Sequence, residues 1–227
     1  MSEMSSRKLR TIELLAPAKN YEQGRAAILC GADALYVGAP RFGARSAAGV
    51  PEEEIVRLCD LAHRFGAKVY VAMNTLLYEQ ELADAERIAC RMWNAGADAL
   101  IVQDMAFLRM ELPPVELHAS TQVCNTDPQR VRFLSEAGFT RVILERALSL
   151  EEIGRLSRAA DVEIETFVHG AICVSYSGRC YMSRTMGPRS GNRGDCSQSC
   201  RLPYDLLDER MRPLERNRHL LSLQDMN

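Results

Sequence analysis

The stretch Cys30-Gly31-Ala32-Asp33-Ala34-Leu35-Tyr36-Val37-Gly38 ends a helix-like pattern and opens a strand-like one. Its first part returns as Ala95-Gly96-Ala97-Asp98-Ala99-Leu100 and again as Ala137-Gly138-Phe139-Thr140-Arg141-Val142. Each copy puts glycine where a helix ends in the left-handed region, and an apolar run follows at once. Upstream, Glu13–Pro17 is a short apolar run, and Asn20 can cap a helix reaching Cys30. Downstream, Pro51 suits the first turn of a helix to Phe65, and Lys68–Asn74 reads as a third strand. Residues 79–94 form the clearest helix, with Leu82, Ala85, Ile88, Ala89 and Met92 on one face. Ala99–Val102 and Glu116–Ser120 read as strands four and five, and Pro128–Ala137 as a helix. Arg141–Glu145 is a sixth strand, Ser149 and Glu152 make a capping box for a helix to Arg158, and Glu163–His169 is a seventh strand. Strands alternating with helices in this way predict an α/β fold, a parallel (β/α) barrel of the TIM type. A doubly wound sheet is the second choice. No Gly-x-Gly-x-x-Gly follows the first strand, which counts against its dinucleotide-binding form.

The chain has 227 residues, 47% hydrophobic and 26% charged, with a formal net charge of -2. That composition suits one globular domain and argues against a nucleic-acid polycation. Of 28 basic residues only Lys8, Lys19 and Lys68 are lysines; arginine is the better fork for phosphate and carboxylate. No apolar run is long enough for a membrane span. Residues 1–10 read as a disordered, polar and basic tail without the apolar core of a secretory leader. The expected location is therefore the cytoplasm. There, eight cysteines point to metal binding or reactivity before disulfides. Residues 11–227 are expected to form the barrel domain, with a Cys-rich insertion at 171–203 after the seventh strand. Tyr204–Asp208 can begin another strand, and the ending Leu221–Asn227 reads like a strand running into a helix cap. No eighth barrel strand is found, so the barrel is expected to be truncated at its C-terminus.

Cys173, Cys180, Cys196 and Cys200 follow a C-x6-C-x15-C-x3-C spacing on the Gly- and Ser-rich insertion. Four thiolates on such a loop can hold Zn²⁺ or a [4Fe–4S] cluster. Neither close pair has the two-residue spacing of a zinc knuckle, which favours the cluster. Cys30, Cys59 and Cys90 lie in helical patterns and read as core fillers. The insertion also carries Arg179, Arg184, Arg189, Arg193 and Arg201 against one acid, Asp195, with Tyr176 and Tyr181 interleaved. Such a surface suits single-stranded RNA or an anionic small substrate.

In a parallel barrel, chemistry sits at the C-terminal ends of strands. Asn74, Gln103, His118, Gln122, Glu145, Glu165 and His169 fall near such ends. His118, Glu145, Glu165 and His169 are the candidate acid, base or substrate-contacting groups. Neither Gly-x-Ser-x-Gly nor His-Glu-x-x-His occurs.

Three segments carry a resemblance: Glu13–Ala18 with Gly31–Gly38, His118-Ala119-Ser120-Thr121-Gln122, and His169-Gly170-Ala171 through Ser177-Gly178-Arg179-Cys180 to Asn192–Arg201. Together they resemble the peptidase U32 family over nearly the whole chain. The resemblance implies a (β/α) barrel catalytic domain. It further implies an oxygen-independent hydroxylation enzyme acting on 23S rRNA or on the wobble uridine of tRNA, with prephenate as co-substrate and an electron donor as partner. By position it makes Cys173, Cys180, Cys196 and Cys200 the [4Fe–4S] ligands. Two alternatives follow from other members: a collagenase-like protease and a ubiquinone-precursor hydroxylation factor. The chain departs from the family pattern at Arg146-Ala147-Leu148-Ser149, where an acid is replaced by Ala147. The family also continues past Ser222-Leu223-Gln224-Asp225 into a further helix and strand.

Overall fold

In a computed structural model, which describes residues 12–44, 49–159 and 161–222, Gly31, Gly96 and Gly138 take φ of 97°, 98° and 105°. Each ends a helix and turns the chain into the next strand, as the repeated joint predicts. The expected tail at 1–10 and most of the expected strand at 221–227 lie outside the described residues.

The elements run β1 (Leu15–Ala18), α1 (Tyr21–Leu29), β2 (Ala34–Gly38), α2 (Glu52–Arg64), β3 (Lys68–Met73), α3 (Leu82–Asn94) and β4 (Ala99–Val102). They continue with β5 (Glu116–Ala119), α4 (Pro128–Glu136), β6 (Arg141–Ile143), α5 (Leu150–Ser157), β7 (Glu163–Glu165) and α6 (Met182–Met186). Side-chain caps start the helices where the sequence places them. Asn20 accepts from the Gln23 N–H, Asp127 caps α4 with Pro128 behind it, and Ser149 and Glu152 close a capping box on α5.

All seven strands are parallel and pair in sequence order, β1 to β7. An order without reversal belongs to a barrel wall, not to a doubly wound sheet. Period-two alternation sorts the side chains. Leu35, Val37, Val69, Val71, Leu100, Val102 and Val142 face the helices and pack with Ile28, Ile55, Leu58, Met92, Leu134 and Leu156. Ala34, Tyr70, Ala72, Ala99, Ile101 and Ile143 face inward and form a second, smaller cluster. The sheet is curled: Arg141 on β6 reaches Glu13, just ahead of β1, at 2.6 Å.

One expectation is corrected. The seventh strand stops at Glu165 rather than His169, because residues 167–170 are exposed and pair with no neighbouring strand. Between β4 and β5 the connection is a short 3₁₀ turn, Met105–Arg109, capped by Asp104. The strand expected at Tyr204 is real (β8, Tyr204–Leu207), but it forms an antiparallel hairpin with β9 (Pro213–Arg218) apart from the barrel sheet.

Candidate functional site

Asn74, Gln103 and Ser120 directly follow β3, β4 and β5, Glu145 lies two residues beyond β6, and all four are buried. Asn74 knits this rim together: its Nδ2 donates to Ser120 Oγ at 3.0 Å and to the Tyr36 hydroxyl at 3.3 Å, and its Oδ1 accepts from the Ala44 N–H. Asn125 Nδ2 donates to the carbonyls of Ser120 and Ile143, binding the ends of β5 and β6. Gln103 Nε2 donates to the Gln122 carbonyl. Gln103 Oε1, Thr121 Oγ1 and Asn125 Oδ1 are buried acceptors without a partner. Beside this rim, a cavity of about 230 Å³ opens between Ala39–Gly43, Thr75, Glu81 and Arg193.

The Cys-rich segment lies over the rim and is fastened at five places. Glu145 accepts from the Ser177 N–H at 2.9 Å and the Ser177 hydroxyl at 3.0 Å. Gly178, with φ of 72°, sits against the Gln122 carbonyl so closely that a Cβ would stand 1.8 Å from its oxygen. The Leu76 N–H donates to the Asn192 carbonyl. Arg193 forms a two-pronged pair with Glu81 at 2.6 and 2.7 Å, bonds the Leu76 carbonyl and covers the Tyr78 ring. That pairing holds the Glu81 carboxyl below its ordinary range. Gly194 packs on Gly43, where a Cβ would meet the carbonyl oxygen at 2.3 Å.

The four cysteines of the segment are free thiols; Cys196 is exposed and the other three half-buried. Burial pushes the Cys200 thiol up, Arg201 opposes this, and Cys173, Cys196 and Cys180 each push it further. Each of the other three thiols therefore acts on Cys200. Among the described residues no three His, Cys, Asp or Glu side chains converge on a single-ion position. Four thiols, gathered but loosely spaced, are a donor set that fits a polynuclear iron–sulfur cluster. The remaining cysteines are separate. Cys59 is core, its thiol pushed up to about 12 chiefly by burial, whereas Cys30, expected in the core, is exposed at the end of α1.

The other predicted site residues separate into groups. His118 and Glu165 point into the barrel below the rim. There Arg141 binds Glu13 at 2.6 Å and Glu163 at 2.5 Å, approaches Glu165 at 3.5 Å, and lies over the Tyr70 ring. Tyr70 donates to Glu13, and His118 packs edge-on against Tyr70. Both ring nitrogens of His118 are buried without a hydrogen bond; Nε2 lies 3.5 Å from Glu116, outside bonding geometry. Burial, with Arg141 and Lys68 nearby, lowers its pKa to about 3, so the ring is neutral. Burial raises Glu165 to about 7 against the pull of Arg141. Glu145 is an anchor of the Cys-rich segment. His169 is exposed on the chain leaving β7.

Among the arginines, Arg193 is tied to the barrel. Arg189 bonds Asp195 and the Cys196 carbonyl, and Arg201 bonds the Ile172 carbonyl and the Ser222 hydroxyl. Arg179, Arg184 and Tyr176 are exposed. Sequence reasoning missed Arg141, Asn125 and the docking role of Gly178 and Gly194. The Ser-Gly-Arg and Arg-Gly-Asp triplets were the available signal for the two glycines.

The chain matches the family model described as peptidase family U32 over residues 19–227. It is 49% identical over 214 residues to the 23S rRNA 5-hydroxycytidine C2501 synthase of Escherichia coli K12, covering 94% of this chain and 33% of that protein. It is 40% identical over 198 residues to tRNA hydroxylation protein P1 of Bacillus subtilis, covering 86% of this chain and 47% of that protein. The collagenase of Porphyromonas gingivalis is 31% identical over 211 residues, covering 87% of this chain and 51% of that protein. The chain therefore spans a third to a half of the length of these relatives. Among solved structures, the U32 peptidase Mk0906 shares the fold with a TM-score of 0.59 at 16% identity, covering 71% of this chain and 70% of that one. No helix among the described residues is long and apolar enough to cross a membrane.

Proposed function

The chain belongs to peptidase family U32, and on that footing we propose that it is the catalytic barrel of an oxygen-independent RNA hydroxylation enzyme. Its substrate is a cytidine of 23S rRNA, with the wobble uridine of tRNA as the second choice, and it works in the cytoplasm. The observation that carries this reading is the four-cysteine segment pinned over the C-terminal rim of the barrel by Glu145, Gly178, Arg193 and Gly194. That is where a parallel barrel does its chemistry. Two relatives named for RNA hydroxylation support it.

Cys173, Cys180, Cys196 and Cys200 would hold a [4Fe–4S] cluster, which supplies one-electron transfer when bound. Zn²⁺ is the lesser alternative, since it asks for a tight tetrahedral set. An electron donor and prephenate as co-substrate complete the reading. The segment's exposed Arg179, Arg184 and Tyr176 are free to meet phosphate and base, whereas Arg189, Arg193 and Arg201 hold the segment in shape. Neither the protease nor the ubiquinone alternative is favoured by any feature of the site.

The test is anaerobic purification of the full chain and of Cys196→Ala, with iron, sulfide and absorption measurements. It is paired with mass spectrometry of rRNA and tRNA nucleosides from cells expressing each. About four irons per chain and a hydroxylated pyrimidine, both lost in the variant, are expected. Stoichiometric zinc, or gelatin cleavage by an iron-free protein, overturns the reading.

A further inference from the structure

Three serines of the Cys-rich segment make contacts that the fastening of the segment does not require. Ser183 stands on α6, and Ser197 and Ser199 flank Gln198 between two of the cysteines. Ser183 and Ser199 are buried, at 3% and 6% exposure, in a segment that is otherwise largely open. Such hydroxyls are retained under cover only when their bonds are made.

Those bonds run in one direction. Ser183 Oγ accepts from the Ser197 N–H at 3.0 Å and from the Ser197 hydroxyl at 3.1 Å. With both lone pairs engaged, its own proton points elsewhere, and Cys196 Sγ lies 3.9 Å away to receive it. The Ser197 hydroxyl donates to Ser183, so at its 2.7 Å contact with Ser199 it is the acceptor. The sequence of donors is therefore Ser199, Ser197, Ser183, Cys196 sulfur. Each hydroxyl polarises the next, which strengthens the last bond. The Gln198 N–H adds a second donor to the same sulfur at 3.4 Å.

We infer that Ser183, backed by Ser197 and Ser199, is a positioning residue that sets the reduction potential of the cluster through the Cys196 sulfur. The inference rests on the cluster reading above. Donors aimed at a ligand sulfur stabilise the more negative, reduced state more than the oxidised one, and so raise the potential. Cys196 is the exposed cysteine of the four, and without Ser183 only water and the Gln198 N–H would supply that stabilisation.

The experiment is anaerobic redox titration of the full chain, followed by electron paramagnetic resonance of the reduced state, with iron and sulfide measured on every sample. Ser183→Ala is expected to keep wild-type iron and shift the midpoint to more negative potential. Ser183→Thr, which keeps the hydroxyl, restores the wild-type midpoint, and Ser197→Ala shifts it the same way by less. Ser135→Ala on α4 leaves it unchanged. Wild-type iron with an unmoved midpoint in Ser183→Ala overturns the inference and leaves the cluster standing. Iron lost in Ser183→Ala and not restored by threonine also overturns it, since the serine is then needed for folding. A wild-type protein without iron overturns the cluster reading itself.

Discussion

At Gly178 a Cβ would stand 1.8 Å from the Gln122 carbonyl oxygen. Backbone cannot step aside as a side-chain tip can, so Gly178→Ala is expected to lift the Cys-rich segment off the rim while the barrel stays folded. Hydrogen exchange should show protection lost in residues 171–203 and kept in β2 to β6; unchanged protection in 171–203 would refute this docking role. The buried ionisable groups give a second expectation. The folded protein keeps His118 neutral to about pH 3, while the unfolded chain takes up a proton near its ordinary 6.5. Its contribution is whole above pH 6.5 and is lost as pH falls toward 3, by at most about 1.4 kcal/mol per pH unit. Glu165 acts oppositely: its pKa rises from 4.5 to about 7, so its contribution is whole below 4.5 and lost as pH rises to 7. Urea unfolding across pH 4 to 8 checks both. Between pH 4.5 and 6.5 the two oppose each other, so His118→Gln should leave stability falling from pH 4.5 to 7, and Glu165→Gln should leave it rising from pH 4 to 6.5. The sequence placed both residues near strand ends, but not their depth. His118 and Glu165 point inward by strand parity, and parallel register sets them on the strands either side of Arg141, whereas the curl of the sheet is what brings Glu13 there.

Among the elements, the Cys-rich segment depends on side chains borrowed from the barrel. Arg193 meets Glu81 across 112 residues, both largely shielded. Arg193→Lys keeps the charge but not the two-pronged geometry. It is expected to cost about 1–2 kcal/mol and to raise limited proteolysis within 171–203 roughly tenfold, with cleavage elsewhere unchanged. Equal cleavage in variant and wild type would count against this tie. Helices α1 to α5 and strands β1 to β6 were legible because local signals agree there: caps at Asn20 and Ser149, glycine stops, and alternating apolar residues. Beyond Glu165 local signals mislead. Phe167 and Val168 read as strand but find no neighbouring strand, and Tyr204–Leu207 finds its partner in β9 instead of the barrel. Likewise, five arginines in the segment looked alike in sequence. Their division into three that fasten and two that face outward depends on partners such as Glu81 and Ile172, far away in the chain.

Across the whole molecule, Arg141 gathers three carboxylates from two stretches: Glu13 ahead of β1, and Glu163 and Glu165 on β7. Arg141→Leu strands Glu13 and Glu165 without their cation and is expected to cost about 3–5 kcal/mol, read as a lower urea midpoint. Adding Glu13→Gln and Glu165→Gln should recover most of that loss, because the penalty lies in the uncompensated charges. Failure of the triple variant to recover would show that the arginine acts through packing on Tyr70. The order of the strands has its own consequence for how the chain is made. Every strand of the barrel pairs with the one synthesised just before it, so the sheet can grow on the ribosome in the order in which it is delivered. Glu13 has to wait, since its cation is 128 residues younger. The stretch ahead of β1 is then secured only after five further strands have been laid down, and until Arg141 arrives the nascent sheet is free to curl or uncurl.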